Sequence, residues 1–431
     1  MLKNSFYIKK LSQLLSLQLF TKVLSIVSGI IIVRLITPAE YGQYIYVISI
    51  VSLITGFASA GMGQLLIKEV SQLEVSLDWA KLKGLIIWSY WRMLLLSIIG
   101  MGVLGCAILY GLFELDTATL LLVALITVPF VGFNGNYTAI SNGLRHYIKS
   151  QTPGIIGAVI SPLVLVVYFF NKNLTLDAKT MIVIQLCITV IVFMMSTKFL
   201  LNILDNRIKK ALPIKNEENW NMMILPFTGL ALIGVANAEL ATVALGRLSS
   251  LESVAIFKIA SQGVLLITML LSAANGIAAP NISRNFKEGD MEAVQDMLTK
   301  SVLFTSAVAI PMTVLLMLFG EEILTLVFGL EYAKAAFPLR ILLVGQLINI
   351  LCGSVGLVLN MSGHVKVSFR VLSYSLTINI FLMYYLVPIY HEIGAAISVS
   401  ASVILWNAIL LYKVVRLTGL TPYFNLKIFS K

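Results

Sequence analysis

Charge is what this chain has least of. Only 12% of its 431 residues are Asp, Glu, Lys or Arg, against 58% hydrophobic, where an average soluble domain carries about 25% charged residues. A water-facing surface cannot be built from so few charges, so the solvent for most of the chain is a bilayer. Reactive side chains are scarce too. Cys106, Cys187 and Cys352 stand singly inside apolar runs, without pairing or metal-ligand spacing, and read as packing residues. His146, His364 and His391 are equally scattered, so no metal site is expected. There is no Walker lysine loop, which argues against an ATP-driven pump. There is no nucleophile–base pairing and no long insertion to hold one, so no enzyme is expected. The net charge is +11, but the basic residues lie between apolar runs and not in one stripe, which excludes nucleic acid as the expected partner.

The dominant feature is the apolar run. A helix needs about 20 apolar residues to cross the hydrocarbon core. Runs of that size fall at roughly 11–36, 41–66, 83–111, 118–142, 150–171, 179–204, 221–246, 253–279, 299–328, 333–361, 365–390 and 391–417. Only Tyr390-His391-Glu392 separates the last two. The first run follows Lys3, Lys9 and Lys10 but is too long for a signal peptide and lacks a small-residue cleavage site, so it reads as a retained membrane helix. Lysines and arginines crowd alternate loops, among them Lys68, Lys81 and Lys83, then Lys198, Arg207, Lys209 and Lys210. The opposite ends hold few, such as Arg34, Arg247, Lys334 and Arg340. By the positive-inside rule both termini are cytoplasmic.

The expected fold is an all-α polytopic membrane protein of twelve transmembrane helices in two six-helix lobes. The N-lobe would span 1–204, a cytoplasmic inter-lobe loop 205–220 and the C-lobe 221–431. The stretch Val33 to Tyr44 has an echo at Gly246 to Phe257. One constant offset carries Arg34 onto Arg247, Leu35 onto Leu248, Thr37 onto Ser250, Gly42 onto Ala255 and Tyr44 onto Phe257. The same offset carries the next two helices onto one another without a gap. Six helices per half give both halves one orientation, a parallel pseudo-two-fold repeat with a substrate site expected between the lobes.

An ionisable side chain deep in a membrane helix costs a few kcal/mol and marks a cavity or a partner. Lys22 lies in the first run, Arg92 in the third, Glu239 in the seventh and Lys258 in the eighth. Lys22 and Lys258 break the repeat, since Val235 and Ile45 stand opposite them. Together with Arg92 they would line a cationic cavity suited to a phosphate or pyrophosphate, although Arg92 could instead snorkel to the headgroups. Glu239 is either a proton- or sodium-coupling carboxylate or a salt-bridge partner of Lys258 or Arg247. Arg34 and Arg247, matched in the repeat, read as gate or structural residues. Asn134, Asn136, Asn142, Asn275, Asn349 and Asn360 would hydrogen-bond either a sugar or a neighbouring helix. Tyr7, Trp88, Trp91, Tyr110, Trp220 and Tyr332 fall near run ends and read as interfacial belt residues. The glycines at 56, 61, 63, 100, 102 and 105 would allow close helix packing, with hinges as a second role.

Several stretches carry a family resemblance. Arg34-Leu35-Ile36-Thr37-Pro38-Ala39-Glu40-Tyr41-Gly42 resembles the first-loop signature of the polysaccharide transporter family, and Gly61 to Glu69 the end of its second helix. Pro280 to Arg284, Gly289-Asp290, Phe319 to Leu324, Phe328 to Tyr332 and Ile393 to Ala396 follow in the family's order. The family belongs to the multidrug/oligosaccharidyl-lipid/polysaccharide exporter superfamily, and this length is similar to its O-antigen flippase branch. The resemblance implies translocation of an undecaprenyl-pyrophosphate-linked O-antigen oligosaccharide from the cytoplasmic to the periplasmic leaflet of the bacterial inner membrane, by alternating access. It implies no cofactor beyond coupling to H+ or Na+, and as partners the lipid-linked substrate and other O-antigen assembly proteins. Members often carry an aspartate in the seventh helix, where this chain has Glu239. A drug or cation exporter of the same superfamily is the alternative, but would call for an acidic cavity. A membrane polymerase or glycosyltransferase would need a catalytic outer loop, and Glu114-Leu115-Asp116 holds the only close acidic pair on one.

Overall fold

The first hairpin shows how local chemistry sets the architecture. In the computed structural model, which describes residues 2–170, 176–214 and 216–424, α1 (Leu2–Leu35) ends one turn short of α2 (Pro38–Ser59). Thr37 caps α2, its hydroxyl accepting the Glu40 N–H at 3.4 Å, and Pro38 follows at the first helical position, where a missing N–H costs nothing. Far along the chain, α10 (Glu217–Leu248) gives way to α11 (Leu251–Glu288) in the same manner. Ser250 is the cap and accepts the Ser253 N–H at 3.2 Å. The helix ends, caps and starts thus correspond at the sequence offset.

So do the ties that fix each hairpin. Between these hairpins lie α3 (Met62–Val75), α4 (Trp79–Leu109), α5 (Leu115–Leu125), α6 (Thr127–Gly143), α7 (Tyr147–Phe170), α8 (Ala178–Ile203) and α9 (Asn206–Lys210). Glu40 Oε2 accepts the Ala178 N–H at 2.7 Å, bracing the hairpin against the start of α8. Its counterpart Ser253 donates to Glu392 Oε2 at 2.7 Å. Beyond α11 come α12 (Met291–Phe328), a 3₁₀ turn (Leu330–Ala335), α13 (Ala336–Cys352), α14 (Val355–Met361) and α15 (Val365–Thr418). No strand occurs among the described residues.

The repeat is not gap-free, as the sequence alignment would have it. The turn after α3 runs Ser76-Leu77-Asp78, whereas the turn after α11 is Gly289-Asp290, one residue shorter. Both carry one left-handed residue, Leu77 at φ 57° and Gly289 at φ 77°, and both end in an aspartate cap. Asp78 accepts the Lys81 N–H at 3.1 Å and Asp290 the Ala293 N–H at 2.9 Å. Hydrogen bonds from the Lys81 side chain and backbone hold the Asp78 carboxyl below the usual carboxylate range.

The membrane reading follows from what faces outward. Only 22% of the most apolar window of α4 is buried, and Val103 is 68% exposed. Such surfaces are tolerated where the surroundings are hydrocarbon. Nine segments among the described residues are long and apolar enough to cross a membrane. One is α15, whose 54 residues would reach about 80 Å if straight, far beyond the roughly 30 Å hydrocarbon core. It bends at His391, where φ is 49° and ψ −126°, and His391 Nδ1 lies 2.8 Å from Ser249 Oγ. The Tyr390-His391-Glu392 boundary is therefore real, though helix resumes at once. The protein is a multi-pass α-helical membrane protein.

Packing divides the chain into two compact units, Met1–Glu239 and Leu240–Lys431. In the first, Leu65 and Leu66 of α3, Leu82 and Leu85 of α4, and Tyr137 and Ile140 of α6 form a core completed by Trp220 and Ile224 of α10. The second unit has its own core of Ile282, Val294, Leu298, Val358, Leu359 and Val414.

The polar segment before α10 is held against α4. Ile208 of α9 is buried, the Ile214 N–H donates to Ala80 O at 3.1 Å, and Lys83 Nζ donates to Lys209 O at 2.7 Å and Ala211 O at 2.9 Å.

Three expected belt aromatics are core residues. Trp88, Trp220 and Tyr332 are buried, and the first two pack ring to ring with centroids 5.4 Å apart. Trp91 and Tyr110 are exposed, as belt residues should be, while the side chain of Tyr7 lies outside the described residues. Cys106 and Cys187 are exposed and not packed; Cys352 is half-buried.

Candidate functional site

The second helix breaks where its sequence reads Ser59-Ala60-Gly61. Gly61 adopts φ 75°, which costs an L-residue with a side chain roughly 1–2 kcal/mol. A Cβ there would also lie 2.9 Å from the backbone nitrogen of Thr228. Glycine thus serves twice, turning the chain and letting α10 come close. Thr228 Oγ1 lies 3.1 Å from Ile224 O and 3.4 Å from Ala60 O, tying α10 to the break.

Beside this break opens a cleft of about 280 Å³, walled by Ser59, Gly61, Met62, Gly63 and Gln64, by Gly135 and Asn136 of α6, and by Phe227 and Ala231 of α10. Gly63 and Gly135 expose backbone and Gln64 an amide, whereas Gly61 and Asn136 are buried and Phe227 is half-buried. No carboxylate lines it among the described residues. The exposed backbone and the Gln64 amide can hydrogen-bond hydroxyls. Sequence reading named Gly61, Gly63 and Asn136 but not the cleft. Its signal was the Gly-Met-Gly-Gln run, whose two glycines two apart in an apolar helix serve a break as well as they serve packing.

The charged candidates take the following places. Lys22 is exposed on α1, a helix whose main neighbour is α7. It has no hydrogen bond or ion pair among the described residues. Lys258 is half-buried on α11 between the buried Phe257 and Ile259. Glu239 is half-buried on α10 and forms no salt bridge among the described residues. Arg34 and Arg247 are exposed in the last turns of α1 and α10, where the carbonyl ends of a helix favour a positive charge. Arg92 Nη1 donates to Asn221 Oδ1 at 2.8 Å, and its guanidinium lies over Trp88, 5.6 Å from the ring centroid. Within the first unit no bond joins Lys22, Arg92 and Glu239. Arg92 sits level with the second turn of α10.

Four of the asparagines are helix-to-helix or local ties. Asn136 donates to Ser89 O at 3.0 Å, Asn142 accepts from Ser150 at 2.7 Å, Asn275 accepts from Ser354, and Asn349 donates to Gln346 at 3.0 Å. The buried Oδ1 atoms of Asn134 and Asn360 have no partner among the described residues. One further carboxylate was missed: Glu69 of α3 is buried, with Oε1 unpartnered among the described residues, because the helix continues past the apolar run that ended at 66. No group of three or more potential metal ligands occurs among the described residues.

Known proteins resemble this chain along most of its length. The sequence model of the polysaccharide biosynthesis protein family matches residues 7–286, and that of MatE matches 223–385. The capsular polysaccharide biosynthesis protein CapF of Staphylococcus aureus is 22% identical over 390 residues, which cover 86% of this chain and 90% of the relative. In three dimensions the chain resembles an inward-facing multidrug resistance MATE family transporter of the MOP superfamily. The TM-score is 0.73 at 14% identity, covering 92% of this chain and 96% of the other. It resembles lipid II flippase MurJ in an inward closed conformation equally, with a TM-score of 0.73 at 15% identity over 93% and 87% of the two chains. At such identities the likeness establishes the fold, and the sequence match establishes the family: this chain is a multi-pass membrane protein of the polysaccharide biosynthesis protein family.

Proposed function

We propose that the protein is a flippase that moves a lipid-linked oligosaccharide from the cytoplasmic to the periplasmic leaflet of the bacterial inner membrane by alternating access. The observation that carries this is the family match over 7–286, joined to a fold shared with a lipid II flippase. The cleft at the Gly61 break, with Gln64 on its wall and no carboxylate among its described residues, suits a sugar. Lys22 in the first unit and Lys258 in the second are the cations we assign to the pyrophosphate. Glu239 is the coupling acid, for H+ or Na+, and both termini face the cytoplasm. The cargo we favour is an undecaprenyl-pyrophosphate-linked O-antigen repeat. The Staphylococcus relative, named for capsular polysaccharide biosynthesis, favours a capsular repeat as the second reading. The MATE likeness raises a drug exporter, which would bind cations and therefore needs acidic walls that the cleft lacks.

Deleting the gene is expected to strip the corresponding glycan from the cell surface and to leave its lipid-linked repeat unit on the cytoplasmic leaflet. Immunoblots of lipopolysaccharide and capsule separate the two cargoes. Unchanged surface glycans of both kinds would overturn the proposal.

A further inference from the structure

A second cleft, of about 270 Å³, lies between α4 and the start of α10, lined by Trp88, Trp91, Arg92, Leu95, Glu217 and Asn221. We propose that it binds the headgroup of a bilayer phosphatidylethanolamine, with the phosphate on Arg92 and the ammonium on Glu217.

Depth is the first support. Asn221 is four residues into α10, about 6 Å from the helix start, so the cleft lies at the boundary between water and hydrocarbon. With basic loops on this side, that boundary belongs to the cytoplasmic leaflet. Aspect is the second. Trp91 is 67% and Leu95 56% exposed, so the outer wall faces lipid and offers an indole at headgroup level above an aliphatic surface for an acyl chain.

The third support is the state of Arg92. Its guanidinium is fixed by Asn221 at 2.8 Å and by the Trp88 ring, and Trp88 is held in turn by Trp220. Asn221 engages one of five N–H donors, Nε is enclosed without a partner, and no carboxylate pairs with Arg92 among the described residues. A preorganised guanidinium with spare donors at headgroup depth is a phosphate receptor. Glu217 makes the site bipolar. A carboxylate accepts several hydrogen bonds at once, so it can take an ammonium whatever else it touches, and it repels a purely anionic headgroup. A choline headgroup, with no N–H, would lose that bond. This assigns Arg92 to a membrane lipid and not to the carried substrate, and the site is independent of what the protein carries.

The test uses the purified full-length chain in detergent, titrated with phosphatidylethanolamine, phosphatidylcholine or phosphatidylglycerol. Retained lipid is counted by native mass spectrometry and the thermal midpoint is followed in parallel. The wild type is expected to retain phosphatidylethanolamine preferentially and to melt later with it. Arg92→Gln should weaken that retention about ten- to a hundredfold, the worth of a charged hydrogen bond. Glu217→Gln should shift the preference towards phosphatidylglycerol. Trp91→Ala, at a position 67% exposed, should also weaken retention. Equal retention of the three lipids by the wild type, or unchanged preference in Arg92→Gln and Trp91→Ala, would overturn the proposal. So would full competition by water-soluble glycerophosphoethanolamine, which would make the occupant a free phosphoester and not a bilayer lipid.

Discussion

Alanine at position 84 is expected to cost about 3 kcal/mol of stability or more. Gly84 sits in α4 where the segment 211–214 crosses it, and an ideal Cβ would lie 1.9 Å from the backbone oxygen of Ile214. A backbone carbonyl cannot swing aside as a side chain can. The crossing segment must lift, and with it go the Ile214–Ala80 bond and both contacts of Lys83 with the carbonyls of Lys209 and Ala211. A net hydrogen bond contributes roughly 1 kcal/mol, and one from a charged donor about 1.5–3. Overpacking itself costs about 1–3 kcal/mol. A loss of about 3 kcal/mol or more follows, seen as a lower thermal midpoint and less folded protein in the membrane. The control is Gly102→Ala on the same helix, where nothing lies within 4 Å of the added carbon. That change should be neutral or stabilise by about 0.5–1 kcal/mol. Equal midpoints for the two variants would refute the docking of this segment.

The second large effect is functional. Lys22→Ala and Lys258→Ala should each insert and fold at least as well as the wild type, because removing an ammonium from a membrane helix removes a cost of a few kcal/mol. Neither lysine has a hydrogen bond or ion pair among the described residues to lose. If each holds the pyrophosphate, transport should fall by about ten- to a hundredfold, the equivalent of a charged hydrogen bond. Arginine at either position should restore part of it, because the charge and donors return with altered geometry. Surface glycan is scored at native expression alongside protein level. Normal glycan in both alanine variants would remove the two lysines from the substrate path.

How much of this could be read beforehand differs by feature, and for physical reasons. The hairpin at Thr37 and its counterpart at Ser250 were visible because capping is local: a hydroxyl, a proline or a left-handed glycine acts within four residues. His391 was visible because it interrupts an apolar run. What the sequence concealed depends on partners far along the chain. A tryptophan near the end of a run looks the same whether it faces headgroups, as Trp91 does, or packs on another tryptophan, as Trp88 does on Trp220. The six glycines read as packing residues part in the structure. Gly56 and Gly100 do meet neighbouring side chains, at 2.5 Å from Val235 and 2.6 Å from Ile54 for an added Cβ. Gly63, Gly102 and Gly105 face open space, and Gly61 breaks its helix. The docking of 211–214 left no pattern at all, since backbone hydrogen bonds are made by every residue type. The cleft at the Gly61 break falls in the same class, assembled from three stretches separated by long intervals.

The most direct measurement of the central claim is flipping by the purified protein in vesicles. A fluorescent undecaprenyl-pyrophosphate oligosaccharide is placed in both leaflets, and its outer fraction is bleached by a membrane-impermeant reductant. A flippase predicts that the accessible fraction rises from about half to nearly all when wild-type protein is present, and that it stays near half in protein-free vesicles and with the Lys22→Ala, Lys258→Ala double variant. Wild-type vesicles that remain at half, under either a proton or a sodium gradient, would contradict it.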